Sequence, residues 1–111
     1  MEEPKIIKKG TWTDELTFDK KKYYLKVKTG RLLSAVTVME PGAEFGKSYL
    51  HEGEEVHMVV KGVIEYKVGE KSYILEEGDW LWHESTEPHH ARNLGEGEAK
   101  YVTIGSPPTF M

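Results

Sequence analysis

The chain has 111 residues and a mass of 12.7 kDa, enough for one core and too little for two. Its 15 basic and 19 acidic residues give a net charge of −4, which argues against the broad basic face that nucleic acid needs. No cysteine is present, so disulfide scaffolds, thiolate metal sites and cysteine nucleophiles are excluded, and a cytoplasmic setting is expected.

No stretch approaches the roughly twenty apolar residues of a spanning helix, and the start, Met1 to Lys5, carries no apolar signal region. Neither membrane insertion nor secretion is therefore expected. Thirteen basic residues are Lys, 16 acidic ones are Glu, Asn93 is the only Asn and Gln is absent. That bias is a tendency of hyperthermophile proteins.

In chain order, Met1 to Gly10 is expected to be peripheral. Asp14 to Phe18 is expected to form a single helical turn at most, because no window sustains a 3.6-residue period. Lys8-Lys9 and Lys20-Lys21-Lys22 suit solvated positions on or beside an edge strand, where Lys blocks edge-to-edge pairing. Tyr23, Leu25 and Val27 alternate with Tyr24, Lys26 and Lys28, the period of a strand. Leu32 to Met39 is a second strand, ended by Glu40-Pro41-Gly42, and Val56 to Val60 a third, stopped by Lys61-Gly62.

The clearest hairpin joins Val63–Val68 to Lys71–Leu75 through Gly69-Glu70. A two-residue loop sets Val68 opposite Lys71, Tyr66 opposite Tyr73 and Ile64 opposite Leu75. Ile64, Tyr66, Tyr73 and Leu75 then share a face that must be buried. Trp80–His83, His89–Asn93 and Lys100–Ile104 complete the strands. Turn glycines recur at close to the spacing of a sandwich or barrel.

All five histidines, His51, His57, His83, His89 and His90, lie in one short window interleaved with Glu52, Glu54 and Glu55. Imidazole and carboxylate are the usual ligands of a divalent metal when thiolate is missing. Alternation after Gly53 puts Glu55, His57 and Val59 on one face and Val56, Met58 and Val60 on the other. A carboxylate beside an imidazole on an inward face needs a partner, a metal or solvent. The opposite, purely apolar face needs cover as well, which predicts a homodimer. His90 should point away from His89, to the surface. No Gly-x-Ser-x-Gly elbow or phosphate-binding loop is present.

Gly42, His51, Glu55 and Gly62 resemble the first motif of the cupin superfamily, Gly-x5-His-x-His-x3,4-Glu-x6-Gly. Gly78 through His89 to Asn93 resembles the second, Gly-x5-Pro-x-Gly-x2-His-x3-Asn. The chain departs at Tyr49, which stands for the first His, at the displaced first Gly, and at Glu84 and Thr86. His51 to Glu55, Glu84 to Asn93 and Pro107 to Phe110 are most similar to the cupin domain that ends many helix-turn-helix regulators. The DNA-binding half is not expected here, since few residues precede the first strand.

The resemblance implies an all-β double-stranded β-helix, the cupin jelly-roll barrel. It implies one domain over residues 1–111, with the motif-bearing core at about 40–105 and outer N-terminal strands in 1–39. It also implies three metal ligands, His51, Glu55 and His89, for zinc, iron, manganese or nickel, with a metal-free polar pocket as the alternative. Tyr49, His57, His83 and Trp82 would line the ligand pocket, with His57 and Tyr49 as candidate acid/base groups. The expected function is binding of a divalent metal and a small organic ligand. The alternatives are a metal-dependent isomerase, decarboxylase or dioxygenase on the same site, and a ligand sensor acting through a partner regulator.

Overall fold

The computed structural model describes residues 3–43 and 52–108. Tyr49, His51 and Phe110 lie outside the described residues. Among those residues there are nine strands and no helix. They are β1 (Asp14–Phe18), β2 (Lys21–Lys28), β3 (Leu33–Met39), β4 (Glu54–Lys61), β5 (Ile64–Val68), β6 (Lys71–Leu75), β7 (Trp80–Glu84), β8 (His89–Asn93) and β9 (Ala99–Ser106).

Every pairing is antiparallel. One sheet has six strands in the order β1-β2-β3-β9-β4-β7; the other has three, β6-β5-β8. Because chain neighbours such as β3 and β4 are not sheet neighbours, residues far apart in sequence meet in the barrel. Alternation is visible in burial: in β3, Leu33, Ala35, Thr37 and Met39 are buried and the residues between them half-exposed. Met39, Val59, Ile64, Tyr66, Leu75, Ala91, Ala99 and Tyr101 form the apolar core. Asn93 ties its rim, donating from Nδ2 to the carbonyls of Met39 and Gly97.

The β5–β6 hairpin pairs in the expected register, Val68 with Lys71, Tyr66 with Tyr73 and Ile64 with Leu75. Gly69 takes the positive φ of 61° that its turn needs. Burial of the shared face is incomplete: Ile64, Tyr66 and Leu75 are buried, but Tyr73 is 39% exposed. β6 is an edge strand, so the middle of it lacks a neighbour on one side.

Asp14–Phe18 is strand β1, not a helical turn. Asp19-Lys20 closes a two-residue hairpin in which Phe18 pairs with Lys21, and Lys20 takes a positive φ of 64°. That turn lacks the glycine that marks most such loops, and pairing with β2 overrides the local preference.

Candidate metal centre

Glu55 and His57 stand two residues apart on β4 and point inward with Val59, as strand alternation requires. The register of β4 with β7 sets His83 directly opposite Glu55. The register with β9 sets Thr103 opposite His57 and Gly105 opposite Glu55. A side chain at 105 would begin 3.4 Å from Glu55 Cγ, so glycine there leaves room for the carboxylate. His89, the first residue of β8, comes from the other sheet and reaches across to the same carboxylate. Glu55, His57, His83 and His89 are all buried.

Each imidazole has its Nδ1 tied to an oxygen. His83 Nδ1 lies 2.8 Å from the Glu84 carbonyl, and His89 Nδ1 lies 2.8 Å from the Glu87 carbonyl. A carbonyl only accepts, so both rings carry hydrogen on Nδ1. His57 Nδ1 is 2.8 Å from the Thr103 hydroxyl, which can donate or accept. The Nε2 atoms turn toward Glu55. His89 Nε2 is 3.1 Å from Glu55 Oε2, His57 Nε2 is 3.7 Å from Oε1, and the Nε2 atoms of His57 and His83 are 2.9 Å apart. The buried Ser85 hydroxyl donates to Glu55 Oε2 at 2.9 Å. The Tyr66 ring lies 4.2 Å from that of His57.

This packing sets the protonation states. Burial favours the neutral form of Glu55, but the hydrogen bond from His89 and the hydroxyl of Ser85 outweigh it and hold the carboxyl at about 2. Burial dominates at His57 and pushes it down to about 3 against the pull of Glu55, so the ring is neutral at pH 7. Burial also opposes charge on His89, yet its hydrogen bonds to Glu55 and to the Glu87 carbonyl raise it above the ordinary value. The carboxylate of Glu55 thus favours a proton on His89, 3.1 Å away.

Of the residues expected from sequence, Glu55, His57, His83 and His89 are brought together. Trp82, expected in the pocket, is not among them. It alternates with His83 on β7 and so faces outward, 56% exposed, with its indole N–H donating to Glu54 Oε1 at 2.7 Å. His90 is turned away from the site, half-exposed beside buried His89. Ser85 and Thr103 were not expected; both contact the site through hydroxyls whose positions depend on pairings across more than 25 residues.

The donor set fits a divalent first-row cation. Ligand atoms of Glu55, His83 and His89 lie within 4.8 Å of one another. Around an ion with bonds of about 2.0–2.2 Å, neighbouring ligand atoms stand about 3–3.5 Å apart. Within that set His89 Nε2 stands 3.1 Å from Glu55 Oε2, in that range. Nδ1–H groups held by carbonyl oxygens are the usual support of metal-bound imidazole.

Comparison with known proteins gives the same fold and family signal. The family model described as a cupin domain matches residues 35–105. An uncharacterised protein of Archaeoglobus fulgidus is 36% identical over 63 residues, which are 57% of this chain and 59% of that one. This chain thus matches less than two thirds of that relative's length. A solved cupin from Shewanella frigidimarina, described as RmlC-like, superimposes with a TM-score of 0.80 at 20% identity, covering 99% of this chain and 97% of that one. The cupin domain of an XRE-family transcriptional regulator from Enterobacter cloacae gives 0.73 at 19% identity, covering 80% and 98%.

Proposed function

From the premise that this chain belongs to the cupin domain family, we propose that it binds a divalent metal ion at Glu55 and His89, and a small organic ligand beside it. The observation that carries this reading is the convergence of three buried imidazoles on one buried carboxylate, each ring tied at Nδ1 to an oxygen. A buried carboxylate of this kind needs a proton, a hydrogen-bonded partner or a cation beside it, and the imidazoles around it can hold either of the charged species. His51, the third ligand implied by the motif, belongs to the same proposal; zinc, iron, manganese and nickel all suit the donors. Titrating zinc into metal-stripped protein by calorimetry should give one site per chain. No heat of binding at micromolar protein would contradict the reading.

The second reading is an enzyme on the same site. A bound divalent ion supplies Lewis acidity toward a carboxylate or enediol. In that reading His57, neutral and hydrogen-bonded to both Thr103 and His83, would move protons, and Tyr49 is the alternative acid/base group. Turnover of a small hydroxy or keto acid by the zinc-loaded protein separates this from binding alone. A sensor role through a partner regulator predicts co-purification with a DNA-binding protein. The reading places strands β1 and β2 in the same domain as the rest. The cysteine-free chain suits a reducing cytoplasm.

The reading includes a homodimer. The outer face of the six-stranded sheet carries a continuous apolar row, Trp80, Met58, Val102, Val36 and Tyr24, each opposite the next across five strands. Trp80 and Trp82 are 64% and 56% exposed at one end of it. Lys22 and Lys26 flank the other end on β2, while Glu54 and Glu84 flank the tryptophans. A two-fold axis between two such faces would place each tryptophan edge over the partner's lysine edge. Five strands at about 4.8 Å span about 20 Å, a face able to bury on the order of 1,000 Å² in total, the lower bound of a specific interface. Light scattering at micromolar concentration should return about twice 12.7 kDa, and Trp80→Glu should return one chain's mass. A wild-type mass of one chain would exclude the dimer.

A further inference from the structure

We infer that Trp12 and Lys26 of each protomer form a socket that receives Trp82 and Glu54 of a second copy, so that the segment ahead of β1 closes the dimer. This rests on the dimer reading above and names the residues that select the partner.

The socket follows from the register of the six-stranded sheet. Beside the row that runs from Trp80 to Tyr24, a second row on the outer face runs Trp82, Val56, Ile104, Ser34 and Val27, each opposite the next. The register shifts between Leu25 and Val27, so Lys26 is the extra residue at the end of that row. Trp12 lies outside the strands and packs at the same end. Its ring is 4.5 Å from that of Tyr24, and the Lys26 ammonium is 5.9 Å from its centroid. Lys26 also donates from Nζ to the Thr11 carbonyl, which ties the segment to the sheet. Trp12 nonetheless stays 43% exposed. At the far end of the row, the exposed Trp82 holds Glu54 Oε1 beside its indole N–H at 2.7 Å. A two-fold axis along the strands, through the middle of the face, reverses the strand order in the second copy. The partner's Trp80 then stands over Tyr24. The partner's Trp82 stands over Trp12 and Lys26, with the partner's Glu54 next to the ammonium.

Charge and area both call for such a contact. Residues 1–31 carry nine basic and five acidic side chains, whereas residues 32–111 carry six basic and 14 acidic ones. The net charges are +4 and −8, so one molecule presents regions of opposite sign to its copy. Glu54 stands directly opposite Glu84 across the β4–β7 pair, where like charges repel. A lysine from the second copy relieves that repulsion. The first apolar row alone reaches only the lower bound of a specific interface, about 1,000 Å² against about 1,600 Å² for a typical one. A tryptophan presents on the order of 150–250 Å², so Trp12 meeting Trp82, twice under the two-fold, makes up much of the difference. Tryptophan beside a cation is also a usual centre of binding energy.

The test measures dimer dissociation of the full chain by sedimentation over a dilution series. The variants are Trp12→Ala, Lys26→Glu, Glu54→Lys and the double Lys26→Glu/Glu54→Lys. Trp12→Ala and each single reversal should weaken the dimer by at least about tenfold. The double reversal restores opposite charges across the interface and should dimerise at least about tenfold more tightly than either single reversal. A merely structural role for Lys26 or Glu54 would give no such rescue. Should Lys26→Glu fail to fold, Trp12→Ala and Glu54→Lys carry the test, because both side chains are exposed. Wild-type dimerisation in Trp12→Ala, or single reversals that the double does not rescue, overturns the inference while leaving a dimer on the Trp80 row in place. Wild type that keeps one chain's mass at every concentration overturns both.

Discussion

Glu55→Gln should reduce zinc affinity by a hundredfold or more while leaving the fold intact. Glu55 is the carboxylate around which the cluster is organised: His89 lies 3.1 Å from it, His57 3.7 Å, and the Ser85 hydroxyl 2.9 Å. Glutamine keeps the shape and can still accept from Ser85, but it removes the negative charge. A shell of neutral imidazoles alone leaves the dication uncompensated in a buried site, where the missing charge costs most. Ser85→Ala removes only a hydrogen bond to Glu55, and its effect should stay within about tenfold to a hundredfold. Calorimetry on the two variants separates these effects. Binding by Glu55→Gln within tenfold of wild type would remove the carboxylate from the site.

The metal-free chain should be most stable near neutral pH and weaken on both sides. His57 is held at about 3 by burial, below the ordinary 6.5. Below about 6.5 the unfolded chain takes up a proton there that the folded chain refuses, so stability falls as pH drops toward 3. Glu55, held at about 2, acts in the same direction: its contribution is present above about 4.5 and is lost as pH falls through 2. His89 acts in the opposite direction, because its value is raised. Its contribution is full below 6.5 and is lost as pH rises through its folded value. Urea midpoints between pH 4 and 9 should therefore pass through a maximum. His57→Gln should flatten the limb between pH 6.5 and 4.5. A stability that rises steadily on acidification, or an unchanged acid limb in the variant, would contradict these assignments.

The same protons oppose metal binding. His89 must release its proton before Nε2 can ligate, and that proton is held more tightly than in a free imidazole. Zinc affinity should therefore begin to fall at a pH above 6.5, earlier than an unperturbed histidine would imply.

Much of the barrel is legible in the sequence because its signals are local. Alternation marks β2 and β4, and Gly69-Glu70 fixes the register of the β5–β6 hairpin to the residue. β1 is misread because its strand character comes from pairing with β2, and Asp19-Lys20 carries no glycine to announce the turn. At the site, Glu55 and His89 are found through motif spacing, and His57 through its parity with Glu55. The place of His83 depends on β4 pairing with β7, a contact between strands about 20 residues apart that periodicity does not encode. The alternation of Trp80 and Trp82 with Leu81 and His83 on β7 is a local signal, and it would have put Trp82 on the outer face. Ser85 and Thr103 had no local signal, since a serine or threonine in a strand or turn is ordinary.

The central claim is that a divalent ion sits between Glu55 and His89. Its most direct test is an anomalous difference map at the zinc edge from crystals of the zinc-loaded protein. The account predicts one strong peak per chain within about 2.0–2.2 Å of a Glu55 carboxylate oxygen and of His89 Nε2. Anomalous density confined to the surface, with His89 still hydrogen-bonded to Glu55, would contradict it.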